Sequence, residues 1–373
     1  MSILEERKRI LKMIEEGKLS AEDAIQLLEK LENDHKIMEE KQESLVTELS
    51  TQVNWEEGGS QHKSKSAKAA SVKDSVLDFV DKAFKKLKDF DLDFNFGSSV
   101  SVTHIFQHSD VYLTDVDIDV ANGSVRLIPW SERDVRVECD AQVYQVETQE
   151  EARKTFLQDV LFSIEGGKLR YSVQRKKMKV NASIYLPKEV YETISVRLFN
   201  GKIDGEQLRV KNFKAKTANG KITVTGFHTD KFEVETANGH ITVTSLISQH
   251  VEAETINGTI KVDGSYKKAD LQSFNGNIVC TINDAQCETA LIKSTTGNVD
   301  VFVPSNRALR GEIKTNIGNL VCNLPNIERK EEKSEVVQKY LKFKTTHLEE
   351  NEPLFIDIDT KTGSILIREK EVN

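Results

Sequence analysis

Residues 214–262 read KAKTANGKITVTGFHTDKFEVETANGHITVTSLISQHVEAETINGTIKV. Three Asn-Gly pairs, Asn219–Gly220, Asn238–Gly239 and Asn257–Gly258, recur 19 residues apart, each followed by an Ile-x-Val stretch. Apolar and polar residues alternate on both sides of each pair, which is the period of a half-buried strand. The unit is therefore strand, turn, strand. Asn and Gly suit a tight turn because both tolerate positive φ.

The register extends in both directions. Gly201, Gly220, Gly239, Gly258, Gly276, Gly297 and Gly318 are spaced by 19, 19, 19, 18, 21 and 21 residues. The Asn-Gly turn residues are Asn200, Gly201, Asn219, Gly220, Asn238, Gly239, Asn257, Gly258, Asn275 and Gly276. Five before the glycine stand Val196, Ala215, Val234, Ala253, Leu271, Ile292 and Ile313. Three before it stand Leu198, Thr217, Thr236, Thr255, Ser273, Ser294 and Thr315. Two after it stand Ile203, Ile222, Ile241, Ile260, Ile278, Val299 and Leu320. The same template fits Gly123, Gly167 and Gly363, giving about ten units. Intervening positions are mostly polar, so one face is apolar and the other wet.

An antiparallel meander would place Asn-Gly in hairpin turns. A β-solenoid would make each unit one coil and stack the coils in parallel. Stacking sets equivalent residues over one another about 4.8 Å apart, which rewards a Thr/Ser ladder and an Asn stack. A meander makes no such demand, so the columns favour a mainly β solenoid. Cys280 and Cys322 then share an inward column with Val301 between them, two rungs or roughly 10 Å apart. That is too far for a disulfide, and both are expected as unbonded core residues.

The amino-terminal end reads differently. Ile3, Leu4, Ile10, Leu11 and Ile14 form one helical face, and Gly17 sits where a C-cap belongs. Ser20 fits an N-cap with Asp23 three residues on, ahead of Ala24, Ile25, Leu27, Leu28 and Leu31. Residues 1–50 are thus a helical hairpin module, with 33–50 still helical in composition. A flexible linker follows at 51–71. Residues 72–96 predict an amphipathic helix (Val72, Val76, Phe79, Val80, Ala83, Phe84, Leu87) and a strand (Phe90, Leu92, Phe94, Phe96) that cap the solenoid, with peripheral membrane contact as the helix's alternative role. Residues 97–373 are the repeat domain. It has insertions at 149–159, a short helix capped by Thr148, and at 326–353, with helical character around Ser334–Leu341.

The chain has 373 residues and a formal net charge of -8, which argues against nucleic acid as a general partner. Its first residues carry charge where a signal peptide needs an apolar run, and no stretch approaches a membrane span. Cytoplasmic location is the default reading, with association at the cell surface as the exception. Four cysteines without CxxC spacing exclude the usual zinc patterns, and reduced thiols are expected.

The Asn-Gly-Lys-Ile-Thr-Val style repeats resemble the bacterial putative-adhesin β-solenoid family, a domain of unknown function. The stretch EEGKLSAEDAIQLLEKL at 15–31 is similar to the short amino-terminal domain joined to it in YvlB-like and LiaX-like proteins of Firmicutes. The helix followed by GGKLRYSV, within 149–173, fits as well. The resemblance implies a link to cell-envelope stress and antimicrobial-peptide responses. It brings no catalytic residues.

Few residues offer chemistry. Arg170, Arg175, Lys176, Lys177 and Lys179 form the densest basic patch, a candidate contact for anionic lipid or a wall polymer; a solvated strand face is the simpler reading. Asp115, Asp117 and Asp119 alternate along one strand, which spreads them too far for a calcium loop. No nucleophile-base arrangement or phosphate loop occurs, so no cofactor, metal or catalytic residue is expected. Residues 1–50 hold 13 acidic and 8 basic side chains and are suited either to a protein or peptide partner or to self-association into a homo-oligomer. Together these features predict a non-enzymatic interaction scaffold. The alternatives are a surface adhesin, which requires export, and a β-helix enzyme acting on polysaccharide, which requires converging carboxylates.

Overall fold

The computed structural model describes residues 3–50, 98–305, 307–335, 337–346 and 353–370. The expected linker at 51–71 and the capping helix and strand at 72–96 lie outside the described residues. The protein is mainly β with an amino-terminal helical region.

The central strands are β7 (Val190–Asn200), β8 (Ile203–Glu206), β9 (Arg209–Asn219), β10 (Ile222–Thr225), β11 (His228–Asn238), β12 (Ile241–Asn257), β13 (Ile260–Asn275), β14 (Ile278–Ile282), β15 (Thr289–Thr296) and β16 (Val299–Val303). They pair in parallel, each unit on the next. Val196 lies opposite Ala215, Ala215 opposite Val234, Val234 opposite Ala253, and Ala253 opposite Leu271. The columns read from the sequence are therefore stacked columns, and the solenoid reading holds over the meander. Phe213 packs at 4.9 Å from Phe227 and 5.3 Å from Phe232 between ring centroids, filling the interior.

Positive φ accounts for glycine at only part of the corner: Gly123 (φ 133), Gly201 (φ 139), Gly258 (φ 159) and Gly297 (φ 154) adopt it, and the other corner glycines do not. The asparagines of the repeat keep ordinary φ, and the left-handed corner falls later, at Gln207 (φ 48), Gly226 (φ 69) and Ser245 (φ 53). All of the corner glycines share a second need, because the rungs touch there. A Cβ on Gly220 would lie 1.8 Å from the Gly201 carbonyl oxygen. Each contact of this kind names the rung below, giving the order Gly123, Gly201, Gly220, Gly239, Gly258, Gly276, Gly297, Gly363, Gly318.

That order departs from chain order at both ends. β2 (Asp115–Trp130) lies between the β5 (Lys168–Val173) and β6 (Met178–Pro187) rung on one side and β7 and β8 on the other. At the far end β21 (Leu354–Thr362) and β22 (Ile365–Glu369) insert between β15–β16 and the rung of β17 (Leu309–Ile317) and β18 (Leu320–Asn323). Cys280 is consequently three strand steps from Cys322, through Val301 and Ile367, and not the expected two. All four cysteines are free, as expected.

Two further expectations are corrected. Gly167 is no coil turn: it joins β4 (Val160–Glu165) to β5 in an antiparallel hairpin. The helical character expected near 334–341 is also absent. β19 (Ile327–Ser334) and β20 (Lys339–Thr345) form an antiparallel hairpin on β17; β19 is charged and mostly exposed, and β20 buries Leu341 and Phe343 between exposed lysines. The other insertion is helical: α3 (Gln149–Asp159) follows α1 (Ile3–Glu15) and α2 (Ala21–Ser50) in the chain. Thr148 Oγ1 accepts from the Glu151 backbone N–H at 3.2 Å. α3 seats Phe156 against Phe106 of β1 (Ser99–His108), which pairs with β3 (Val135–Tyr144).

A candidate interaction surface along the asparagine corner

The corner begins with a ladder of side-chain amides. Nδ2 of Asn200 donates to Oδ1 of Asn122 at 2.9 Å, and Asn219, Asn238, Asn257 and Asn275 each repeat the bond to the rung below at 2.8–3.0 Å. Asn122 closes the chain on the Lys176 carbonyl at 2.7 Å. All amides point one way, so each bond polarises the next. Beside them Thr217, Thr236, Thr255, Ser273 and Ser294 donate to glycine carbonyls of the neighbouring rung at 3.0–3.2 Å. The hydroxyls are satisfied inside the stack, as the Thr/Ser column predicts.

One column was missed. Two residues before the glycine stand Phe199, Ala218, Ala237, Ile256 and Phe274, apolar on the outward face. Its signal was available: five successive apolar residues where neighbouring outward positions are charged. α2 covers this stripe. Leu45 and Leu49 are 3% exposed and pack on Ala218, Ala237 and Ile256, with Met38 and Val46 alongside.

Ion pairs fix the helix along the ladder. Lys41 Nζ meets Glu254 at 2.5 Å, and Lys216 Nζ meets Glu48 at 2.9 Å. Seven helical residues advance about 10.5 Å, and two rungs advance about 9.6 Å; Lys216 and Glu254 are two rungs apart. Helix and ladder are therefore commensurate over this span. Burial alone would lower the Lys216 pKa, but the Glu48 and Glu235 carboxylates outweigh it and hold the ammonium above its ordinary value.

Past Asn275 the ladder column changes to Thr296, Thr362 and Ile317, and the docking chemistry changes with it. Glu6 of α1, 4% exposed, accepts from Thr296 Oγ1 at 2.8 Å and from Thr362 Oγ1. Ile317 enters an apolar cluster with Ile10, Leu19, Ala24 and Leu27. The hairpin expected in residues 1–50 is present: Gly17 adopts φ 68, and Ser20 Oγ accepts from the Asp23 N–H at 3.1 Å. Of the two apolar faces read from sequence, Ile10, Ala24, Leu27 and Leu31 are buried, whereas Leu11 (51%) and Ile25 (57%) face solvent.

At the other end of the ladder the corner opens into a pocket of about 420 Å³ lined by Asn122, Ser124, Tyr144, Lys176, Lys179, Asn181 and Lys202, among others. Among the described residues three lysines and no carboxylate line it. Lys202 leans on Asp204 at 2.9 Å, and burial lowers the Lys176 pKa. The structure thus brings Lys176 and Lys179 of the predicted basic patch together with Lys202, which was not singled out. The rest of the patch disperses. Arg175 is paired with Asp159, Arg170 lies exposed on β5 facing Ser163 of β4, and Lys177 is half-buried. Asp117 is engaged by Arg197 at 2.9 Å and Lys168 at 3.3 Å. No cluster of three or more His, Cys, Asp or Glu suited to a metal ion occurs among the described residues.

Comparison with known proteins follows the same division. Residues 113–346 match the family model described as Toastrack DUF4097, and residues 5–34 match a SHOCT-like domain. The chain is 46% identical over 364 residues to the uncharacterized protein YvlB of Bacillus subtilis strain 168, covering 98% of each. Solved structures are more distant. A putative adhesin from Bacteroides fragilis is 12% identical, covering 73% of this chain and 98% of that one, with a TM-score of 0.33. A putative cell adhesion protein from Clostridium sporogenes is 11% identical, with coverages of 73% and 100% and a TM-score of 0.24. No helix among the described residues is long and apolar enough to cross a membrane.

Proposed function

The chain is a member of the Toastrack DUF4097 family, and from that premise we propose that it catalyses no reaction and serves as an interaction scaffold in the bacterial cell-envelope stress or antimicrobial-peptide response. The working unit is a β-solenoid of about ten rungs clasped by its own helical module. The observation that carries this reading is the fit of α2 to the corner stripe, with Leu45 and Leu49 buried and Lys41 and Glu48 paired at the rim. A surface that holds one amphipathic helix in register has the chemistry to hold another once α2 is released from it.

The test uses full-length protein and a variant carrying Leu45→Asp and Leu49→Asp, which releases α2. Binding of a cationic amphipathic helical peptide is followed by calorimetry. The variant is expected to bind at least about tenfold more tightly than the parent, reflecting loss of the competing internal helix. Absence of binding in both proteins would leave the scaffold without this class of partner.

A second reading rests on the lysine-lined pocket, which suits an anionic partner at a membrane or wall surface. Lys179→Glu with Lys202→Glu is expected to weaken adsorption to phosphatidylglycerol vesicles. Equal adsorption of parent and variant would remove this reading. The adhesin alternative is decided by fractionating cells into cytosol, membrane and medium, because adhesion requires export.

A further inference from the structure

We propose that the outer edge of β1 is a docking site for a second copy of this chain, the two β1 strands pairing antiparallel about a two-fold axis at Thr103.

Among the described residues four strands have only one neighbour: β1, β4, β18 and β19. An open edge invites foreign strands, and proteins guard it with charge or brevity. β19 reads IERKEEKS, six of its eight residues charged. β18 has four residues and β4 has six. β1 has ten, SVSVTHIFQH, with no Asp, Glu, Lys or Arg among them. Its one local guard is Gln149, whose Nε2 donates to the Ser101 carbonyl at 2.9 Å. The long, uncharged edge is the exception in a molecule that protects its others.

The strand's own sequence selects the occupant. Pairing about Thr103 sets Thr103 opposite its copy, Val100 opposite Phe106, Val102 opposite His104, and Ser101 opposite Ile105. Thr–Thr and aromatic–β-branched pairs are favourable directly across antiparallel strands, and no like charges meet. The faces also agree. Val102 (3% exposed) and the half-buried Phe106 continue the apolar side, while Ser101, Thr103 and Ile105 (47% exposed) continue the outer one. Ile105, an exposed large apolar residue with Glu138 of β3 on one side, gains a neighbour on its open side in this arrangement.

The test measures the mass of the full-length protein by sedimentation across a concentration series. Parent protein is expected to pass from monomer to dimer. Ser101→Lys with Ile105→Lys places lysines in two directly opposed pairs in the dimer, while in the monomer both side chains stay in solvent near Gln142 and Glu138 of β3. It should weaken association by about tenfold or more with an unchanged circular dichroism spectrum. Thr103→Cys should form an intermolecular disulfide under mild oxidation, and the double lysine variant should abolish that cross-link. Leu11→Glu with Ile25→Glu, on the exposed face of the helical hairpin, should leave the dimer intact. A parent protein monomeric throughout, a dimer insensitive to the lysines, or one abolished by the hairpin changes would overturn the proposal.

Discussion

The central rungs and the two ends are built from the same repeat, yet they are assembled by different rules. From β7 to β16 each unit stacks on the one before it in the chain. At the ends the stacking partner comes from elsewhere: β2 reaches forward to β7, and β21 reaches back to β15. In the middle, local sequence and nearest-neighbour contact coincide, as in a one-dimensional array. At the ends they separate: β2 and the rung of β21 and β22 are each held from both sides, on at least one of them by segments distant in sequence. The repeat motif thus specifies what a rung is, whereas connectivity specifies where it sits.

The largest test of that contrast is Gly220→Ala against Gly166→Ala. The first drives a Cβ to 1.8 Å from the Gly201 carbonyl, whereas the second, at φ 58 in the end hairpin, meets nothing within 4 Å. Denaturant melts should show a loss of at least about 3 kcal/mol for the central change and about 1 kcal/mol for the terminal one. Equal losses would mean that the rungs do not touch at the corner.

The amide ladder offers a second comparison. Asn238→Ala strands both the Asn257 donor and the Asn219 acceptor, and should cost about 2–4 kcal/mol. Asn122→Ala, at the end of the ladder, also removes two bonds, from Asn200 and to the Lys176 carbonyl, but beside an open pocket where water can replace them, and should cost about half as much. Glu6→Ala acts on the clasp alone. Hydrogen exchange in α1 is expected to accelerate severalfold while the central strands keep their protection.

Smaller effects follow from titration. Burial, and then nearby Arg153, lower the pKa of His104 at the β1 end. The unfolded chain therefore takes up a proton first, and stability should fall as pH drops below about 6.5. His104→Gln should flatten that limb of the stability profile. Smallest is a difference in thiol reactivity. Burial pushes both Cys280 and Cys322 up to about 11, but Cys280 is in the central core and Cys322 is only half-buried at an end. Both should label slowly at pH 8, with Cys322 first.

Legibility from sequence divides along the same line. Parallel stacking was readable because it repeats chemical identity column by column, from Val196 to Ile313 and from Thr217 to Thr315. The helix caps at Ser20 and Thr148 were readable because a cap is a local bond between residues three apart. Stacking order was not, because Gly363 carries the same template as Gly297 and Gly318 and fits any place in the stack. The hairpin of β19 and β20 was obscured by β19, where charge on six of eight residues removes the alternation that marks a strand, although β20 keeps it at Leu341 and Phe343. The docking of α2 was hidden because Ala218 and Ala237 are too small to announce a contact. Glu6 is one acid among many, and only the change from Asn275 to Thr296 opposite it marks its place.

The insertion of β21 and β22 has a consequence for synthesis. A ribosome delivers residues 309–323 before residues 354–369, so the rung of β17 and β18 emerges before the one that must lie beneath it. Until the last strand is released, β15 and β16 present an open stacking surface that the wrong rung also fits. A chain stopped before Leu354 would therefore lack the rung that separates β15–β16 from β17–β18: it would have no means of stacking in the right order, and the exposed rung would mark it for proteolysis.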